Sequence, residues 1–198
     1  MTVKASSGYR LRVARFLYGT RGLWLLASVV LVLVLKGVTG SGLPLWAWGL
    51  LLTVVAVAAA FRVWAAGFIG VPVRGRHLVA EALVTAGPYA HLRNPLYLGT
   101  LVGTLALTGM SGLWYGPLIA LATWAAVYAH VIPYEEHYLR SRFGEAFDSY
   151  RKAVPPLLPA LRPYKERHGT FNLSSGLSNE RFSLATLPVL AILFLVVG

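Results

Sequence analysis

The sequence predicts an all-α membrane protein: a polytopic helix bundle of about five spans with a cytoplasmic cap of short helices and loops. Of its 198 residues, 57% are hydrophobic and only 13% are charged, which is too apolar for a soluble domain of this size. The apolar residues also gather in runs long enough for membrane helices, separated by polar or glycine- and proline-rich segments. The chain has no cysteine, which excludes disulfides, thiolate metal sites and cysteine nucleophiles.

The N-terminal part combines a basic lead-in with the first predicted span. Residues 1–22 are expected to lie at an anionic membrane surface in the cytoplasm. The apolar run 22–38 follows with about 17 residues, or about 25 Å of helix, which is just enough to cross a bilayer. Because this run begins late and no cleavage site precedes it, we expect no removable signal peptide. Lys36, near its far end, is expected to reach the interface. The basic residues of the lead-in are Lys4, Arg10, Arg12, Arg15 and Arg21.

The middle of the chain predicts a second span followed by a helical hairpin. Arg62 lies about 25 Å along the second span, near its inner end, where it can reach the membrane surface or serve a site. Glycines at 109 and 112 break the hairpin at its tip. The predicted segments are a turn at 39–44, the second span at about 45–70, a polar connector at 71–95, and hairpin helices at about 95–110 and 113–131.

The last third changes from charged to apolar. An interfacial amphipathic segment is predicted from residue 134, because charged residues alternate there with large apolar ones. Prolines between 155 and 163 end it, and residues 164–180 are polar enough to be a loop. The final apolar run, 182–197, contains Pro188 and predicts a short span or a re-entrant segment.

A net charge of +11 could indicate a protein that binds nucleic acid, but the positions of the basic residues indicate that they lie at the membrane surface. With five spans and a cytoplasmic N-terminus, every Lys and Arg except Lys36 falls on the cytoplasmic side, which satisfies the positive-inside rule. We therefore expect membrane lipids and no nucleic acid as partners. The two chemically richest stretches, 87–99 and 134–156, then face the cytoplasm.

The first of these stretches is GPYAHLRNPLYLG, at 87–99. Gly87 and Pro88 favour a turn, and Pro95 disfavours helix at Asn94, so the backbone near 92–94 is expected to be non-helical with amides and carbonyls free for a ligand. Gly99 allows a ligand to approach the next helix closely. Alternatively, Gly99 and Gly103 form a contact between helices and Arg93 meets lipid phosphate; for Gly103 the helix contact is preferred.

The second stretch begins with adjacent acids, Glu135 and Glu136. Neighbours on a helix point about 100° apart, so these residues are expected to have separate roles. One could bind a ligand while the other holds Arg93 or Arg62; alternatively, both are solvated acids on an interfacial helix. His130 and His137 flank the pair, but Pro133 is expected to interrupt the helix between them, so no metal site is predicted.

Together the two stretches resemble a known family. GPYAHLRNPLYLG resembles the GPYxxxRHPxYxG signature, and EEHYLRSRFGEAFDSYRKAVPPLLP resembles the tail motif, of the isoprenylcysteine carboxyl methyltransferase and phospholipid N-methyltransferase superfamily. The resemblance covers about 60–160, which would be the catalytic core of a single domain spanning 1–198, with 1–60 and 164–198 outside it. It departs at Asn94, where the eukaryotic carboxyl methyltransferases have histidine, and at Phe147, which replaces a tyrosine.

The resemblance implies an S-adenosylmethionine (SAM) site between the membrane helices and the cytoplasmic cap. A lipidic or amphiphilic acceptor would enter from the bilayer and receive the methyl group. The cofactor-binding residues implied are Tyr89, Leu92, Arg93, Asn94, Pro95, Tyr97, Leu98, Gly99, Glu135 and Glu136.

The chemistry of the acceptor stays open. A carboxylate acceptor needs a cation to orient it, for which Arg93, Arg62 or Arg151 is available. An amine acceptor needs a base that keeps it neutral, and the candidates are Glu136, His130 and Tyr128. A non-enzymatic protein that binds anionic lipid is the alternative function. A transporter is disfavoured because the spans lack inward polar residues and an inverted repeat.

Overall fold

A computed structural model describes residues 2–70 and 81–197, with side chains from residue 11 onward. Within those ranges the chain is helical and contains no strand, so the predicted all-α bundle is confirmed. A short 3-10 helix, Gly87–Ala90, precedes α3. The α-helices are α1 (Thr2–Thr39), α2 (Leu45–Gly67), α3 (Pro95–Gly109), α4 (Gly116–Phe143), α5 (Glu145–Ala153) and α6 (Leu173–Val196).

Four of these helices are long and apolar enough to cross a membrane: α2, α4, α6 and the part of α1 from Leu11 onward. The fifth apolar helix, α3, is shorter, at 15 residues. The protein is therefore an integral membrane protein. Lys36 does not reach towards the interface as expected; it is buried and donates a hydrogen bond to the Val197 carbonyl.

The short helix α3 lies against three longer helices. It packs against α2, α4 and, less extensively, α1, while α2 also packs against α6 and α1 packs against α4. The contact between α2 and α3 uses small residues: a Cβ on Gly103 would lie 3.5 Å from the Ala58 Cβ, an ordinary packing distance. The preferred interpretation of Gly103 as a helix contact is thus confirmed.

Three predicted boundaries are wrong. The basic lead-in and first span form one continuous helix, α1. The α4 helix continues through Pro133, so Glu135 and Glu136 lie on the end of a membrane helix and not on a separate interfacial segment. The α6 helix begins at Leu173, where the Asn172 side chain accepts a hydrogen bond from the Ser175 amide at 2.9 Å, so 173–180 is helix and not loop.

The cap is formed by α5 and the proline-rich segment after it. Phe147, Tyr150 and Val154 form a small buried cluster there, close to the 3-10 helix. The first part of the predicted connector, 71–80, and the side chains of Lys4 and Arg10 lie outside the described residues.

Candidate functional site

A cavity of about 1380 Å³ lies between the helices and the cap. The positions of its lining residues along the helices give it two ends, which we call the polar end and the apolar end. The polar end, where α3 begins and α4 ends, includes Tyr89, Arg93, Asn94, Glu135 and Glu136. The apolar end, between α1, α2, α3 and α6, includes Leu25, Val29, Val55, Leu107 and Leu190.

The backbone of the first motif is fixed by the proline-rich segment that follows α5. The Arg93 and Asn94 amides donate to the Pro155 and Pro156 carbonyls at 2.9 and 3.1 Å. The Asn94 side-chain amide also donates to Pro156, at 3.0 Å. Proline carries an acceptor but no backbone donor, so this segment is suited to satisfy free amides. The expectation that these amides are free for a ligand is therefore wrong.

Arg93 and Glu136 join the two motifs. Arg93 Nε and Nη2 donate to Glu136 Oε1 at 2.9 and 2.7 Å, and both side chains are mostly buried. Arg93 Nη1 donates to the carbonyls of Arg151 and Val154. Glu136 Oε2 in turn lies 3.2 Å from Arg151 Nε, on a side chain that is half exposed. Every guanidinium nitrogen of Arg93 thus has an acceptor within the protein.

Glu135 has a different partner from its neighbour. Its carboxylate accepts a hydrogen bond from the Tyr97 hydroxyl at 2.6 Å. The centroids of the Tyr97 and Tyr128 rings lie 4.5 Å apart, and the Tyr128 ring stacks on the Trp124 ring with a centroid distance of 4.9 Å. The prediction of separate roles for Glu135 and Glu136, one of them holding Arg93, is confirmed for their contacts.

Arg62 makes a second buried ion pair that the sequence did not predict. Its Nε and Nη2 donate to the Glu180 carboxylate on α6 at 2.8 to 3.0 Å. Its Nη1 donates to the Leu96 carbonyl at 2.9 Å and to the Thr100 hydroxyl. Arg62 therefore ties α2 to α3 and α6, and the expectation that the spans lack inward polar residues is wrong.

The Tyr89 hydroxyl is the unusual polar group of the polar end. The residue is only 8% exposed, and its hydroxyl has no hydrogen-bond partner among the residues that the structure describes. Its backbone carbonyl is occupied, since it accepts from the Tyr150 hydroxyl at 2.7 Å. Burial raises the pKa of the Tyr89 phenol well above its usual range, so the hydroxyl keeps its proton and is free to donate. A buried polar group of this kind is expected to have a partner, which a ligand can supply.

Most predicted site residues line the cavity, but some do not. Leu92 is buried elsewhere, and Leu98 and Arg151 also lie outside the lining. His130 and His137, which flank the two glutamates, are exposed, and a ring nitrogen of His130 hydrogen-bonds with the Ala126 carbonyl at 2.9 Å. Within the described ranges, no three His, Asp or Glu side chains gather as a metal site requires. The predicted residues in the lining are Tyr89, Arg93, Asn94, Pro95, Tyr97, Gly99, Glu135, Glu136 and Arg62.

The lining also contains polar residues that sequence reasoning missed. Tyr18 and Arg21 come from α1, in the stretch interpreted as a surface lead-in, and Glu180 comes from the stretch interpreted as loop. One signal was available: Tyr18, Arg21, Leu25 and Val29 follow each other at helical spacing, three or four residues apart, and so share one face.

The fold and the site define an integral membrane protein with a large cavity that is polar at one end and apolar at the other. This chain belongs to the phospholipid methyltransferase family: the family's sequence model, described as phospholipid methyltransferase, matches residues 42–146.

Curated relatives support that membership. The chain is 35% identical to a nickel-cobalt-cadmium resistance protein of Alcaligenes xylosoxydans, over 73% of this chain and 66% of that protein. It is 38% identical to a cobalt-zinc-cadmium resistance protein of Cupriavidus metallidurans, over 66% of this chain and 59% of that one. It is also 38% identical to a protein-S-isoprenylcysteine O-methyltransferase of Schizosaccharomyces pombe, over 43% of this chain and 39% of that enzyme. In each case the match spans less than two thirds of the relative's length. No solved structure matches the chain.

Proposed function

We propose that this protein is a membrane methyltransferase that moves a methyl group from SAM to a lipidic or amphiphilic acceptor at the cytoplasmic membrane face. Family membership supports the reaction class. The observation that carries the proposal is the Tyr89 hydroxyl, a buried donor in the cavity lining whose partner the described residues do not supply. The basic N-terminal part of α1 supports a cytoplasmic location for the polar end, by the positive-inside rule.

The polar end has groups that suit the cofactor. SAM carries an adenine ring, a ribose diol, an ammonium and a carboxylate, and when bound it supplies an electrophilic methyl group. Tyr89 can donate to one of its acceptors, Glu135 can accept from an ammonium or a hydroxyl, and the Tyr97 and Tyr128 rings, tilted by 53° to each other, offer an apolar wall. Leu92 and Leu98 do not line the cavity, so we expect no direct contact between them and the cofactor.

The arginines named as candidate catalytic residues are better explained as positioning residues. Arg62 and Arg93 each use all three guanidinium nitrogens within the protein, and each already has a carboxylate partner, which disfavours both as the cation that orients an acceptor anion. Glu136 is held by Arg93 and Arg151, so its carboxylate already has two partners within the protein. These pairs instead hold the first motif against α4 and α6 against α2, which preserves the shape of the cavity.

The apolar end suits a hydrocarbon chain. Its lining residues on α1, α2, α3 and α6 are aliphatic, and they continue from the polar end within one cavity. An amphiphile placed there would hold its polar group next to the cofactor and away from bulk water. The α6 helix lies beyond the family match yet lines both ends, which supports one domain over the whole chain.

Calorimetric titration of SAM into the full-length protein in lipid nanodiscs tests the proposal. We expect saturable binding, and we expect the Tyr89→Phe variant to bind about tenfold more weakly because it loses one hydrogen bond to the ligand. Removing the hydroxyl breaks no hydrogen bond among the described residues, so the melting temperature should not fall.

Tyr164→Phe is the matched control. Tyr164 packs its ring against Tyr150 and does not line the cavity, so its variant should bind SAM as the wild type does. Equal binding by Tyr89→Phe and the wild type would remove Tyr89 from the site. Absence of saturable SAM binding to a folded wild type would favour the alternative, a protein that binds anionic lipid without catalysis.

A further inference from the structure

Three arginines line the cavity among the residues that the structure describes, and they differ in their partners. Arg62 is paired with Glu180, and Arg93 is paired with Glu136. Arg21, on α1, forms no ion pair with a described carboxylate. Among the described residues, Arg21 is therefore the arginine of the lining that has no carboxylate in direct contact.

Arg21 is turned towards the inside of the bundle. It is partly buried, and its guanidinium lies over the Tyr18 ring, 4.1 Å from the centroid, while Nη1 donates to the Tyr18 carbonyl. Tyr18 itself is only 2% exposed and packs with α3 and α4, so the ring that carries the guanidinium faces the core and not the lipid. An arginine held only by a ring and one carbonyl keeps N–H donors for another partner.

The position of Arg21 matches the boundary between the two ends of the cavity. On the same face of α1, Leu25 and Val29 follow at steps of four residues, or about 6 Å each, and both line the apolar end. In the other direction, the Tyr18 ring under the guanidinium packs in one cluster with Tyr97, whose hydroxyl bonds Glu135 at the polar end. A ligand with a hydrocarbon chain in the apolar end would thus present its head group at Arg21.

We propose that Arg21 binds the carboxylate of a ligand in this cavity. The inference rests on the proposed function, which places both SAM and an amphiphilic acceptor there. A planar guanidinium fork matches a carboxylate through two parallel hydrogen bonds, and a partly dehydrated site strengthens them. The carboxylate has two possible sources, the head group of the acceptor and the amino-acid end of SAM, and binding measurements separate them.

The experiment compares carboxylate ligands with matched analogues that lack the carboxylate. Palmitate and hexadecanol are bound to detergent-purified full-length protein and counted by native mass spectrometry, while SAM and decarboxylated SAM are titrated by calorimetry. In the pair that resembles the true ligand, the wild type should bind the carboxylate compound about tenfold or more tightly than its analogue. The Arg21→Gln variant should bind the two compounds equally well. Loss in the palmitate pair alone assigns Arg21 to the acceptor, and loss in the SAM pair alone assigns it to the cofactor.

Arg15→Gln is the matched control, since it removes the same charge from an exposed position on the same helix and should leave both preferences unchanged. If Arg21→Gln fails to fold, Arg21→Lys keeps the charge without the fork, and its carboxylate preference should drop by about threefold.

Unchanged preferences in the Arg21 variants, or no carboxylate preference in the wild type, would overturn the inference. A wild type that binds neither SAM nor its analogue would contradict the proposed function, while the palmitate pair still decides the role of Arg21.

Discussion

Two buried arginine–glutamate pairs hold the cavity, and they differ in where their carboxylates come from. Arg93–Glu136 joins the two sequence motifs, inside the residues that match the family. Arg62–Glu180 joins α2 to α6, and its carboxylate lies beyond that match. Both pairs are largely shielded from water, with side-chain exposures of 10% and 13% in the first and 17% and 5% in the second.

The two pairs hold different parts of the chain in place. Arg93–Glu136 fixes the non-helical segment at 92–94 against the end of α4 and so shapes the polar end. Arg62–Glu180 fixes α6 against α2 and the first turns of α3, and α6 continues from there along the apolar end. A shared motif thus builds the polar end, while a helix outside the motif completes the wall of the cavity.

Removing Glu136 should have the largest effect. Glu136→Ala leaves Arg93 buried without its carboxylate partner and also removes the carboxylate that Arg151 contacts. We therefore expect a loss of about 3–5 kcal/mol in unfolding free energy. Reversible unfolding in mixed micelles measures it. The double variant Arg93→Met, Glu136→Met removes both charges and should recover most of the loss; no recovery would show that the pair is not the cause.

Removing Glu180 should have a smaller effect. Glu180→Ala is expected to cost about 2–3 kcal/mol, because it removes the carboxylate of one arginine, Arg62, whereas Glu136→Ala removes the carboxylate of two, Arg93 and Arg151. SAM binding should change less than in Glu136→Ala, since the Arg93–Glu136 pair holds the segment at 92–94 that shapes the polar end. Glu166→Ala, which changes an exposed carboxylate, is the control and should stay within about 0.5 kcal/mol of the wild type. A larger loss of SAM binding in Glu180→Ala than in Glu136→Ala would contradict this order of the two pairs.

The packing of α6 on α2 sharpens the comparison further. A Cβ on Gly176 would lie 2.5 Å from the Val63 carbonyl oxygen, and backbone cannot yield as a side chain does. Gly176→Ala should therefore cost about 1–3 kcal/mol in unfolding free energy. Gly49→Ala, on α2, meets nothing within 4 Å and should be neutral or slightly stabilising. Equal stability of the two variants would mean that α6 does not pack on α2 as described.

The sequence predicted the parts of this structure that depend on local pattern. The apolar runs gave the bundle and the hairpin around α3, and the 100° angle between Glu135 and Glu136 gave their separate contacts. The polar first half of α6 has no apolar periodicity, so its helix and the Glu180 carboxylate could not be recognised. Occupation of the Arg93 and Asn94 amides depends on carbonyls about sixty residues away, which no local pattern reports.

The position of Arg21 was also missed from the sequence. Because it stands among other basic residues, it was assigned to the membrane surface, although its spacing to Leu25 and Val29 places it on the inner face of α1. Pro133 shows a limit of a different kind. Proline removes one helical donor, but a membrane helix tolerates it where neighbouring groups satisfy the freed carbonyl, so the break predicted there did not occur.

The most direct test of the account is transfer of the methyl group itself. The full-length protein in nanodiscs of native lipid is incubated with SAM that carries a tritiated methyl group, and the organic extract is counted against the Tyr89→Phe variant and lipid alone. We expect label in an extractable amphiphile that depends on the wild-type protein and falls about tenfold in the variant at subsaturating SAM, in proportion to the lost affinity. Saturable SAM binding with no label above the lipid blank, in native lipid and in acceptor-rich membrane extract alike, would contradict the methyltransferase function.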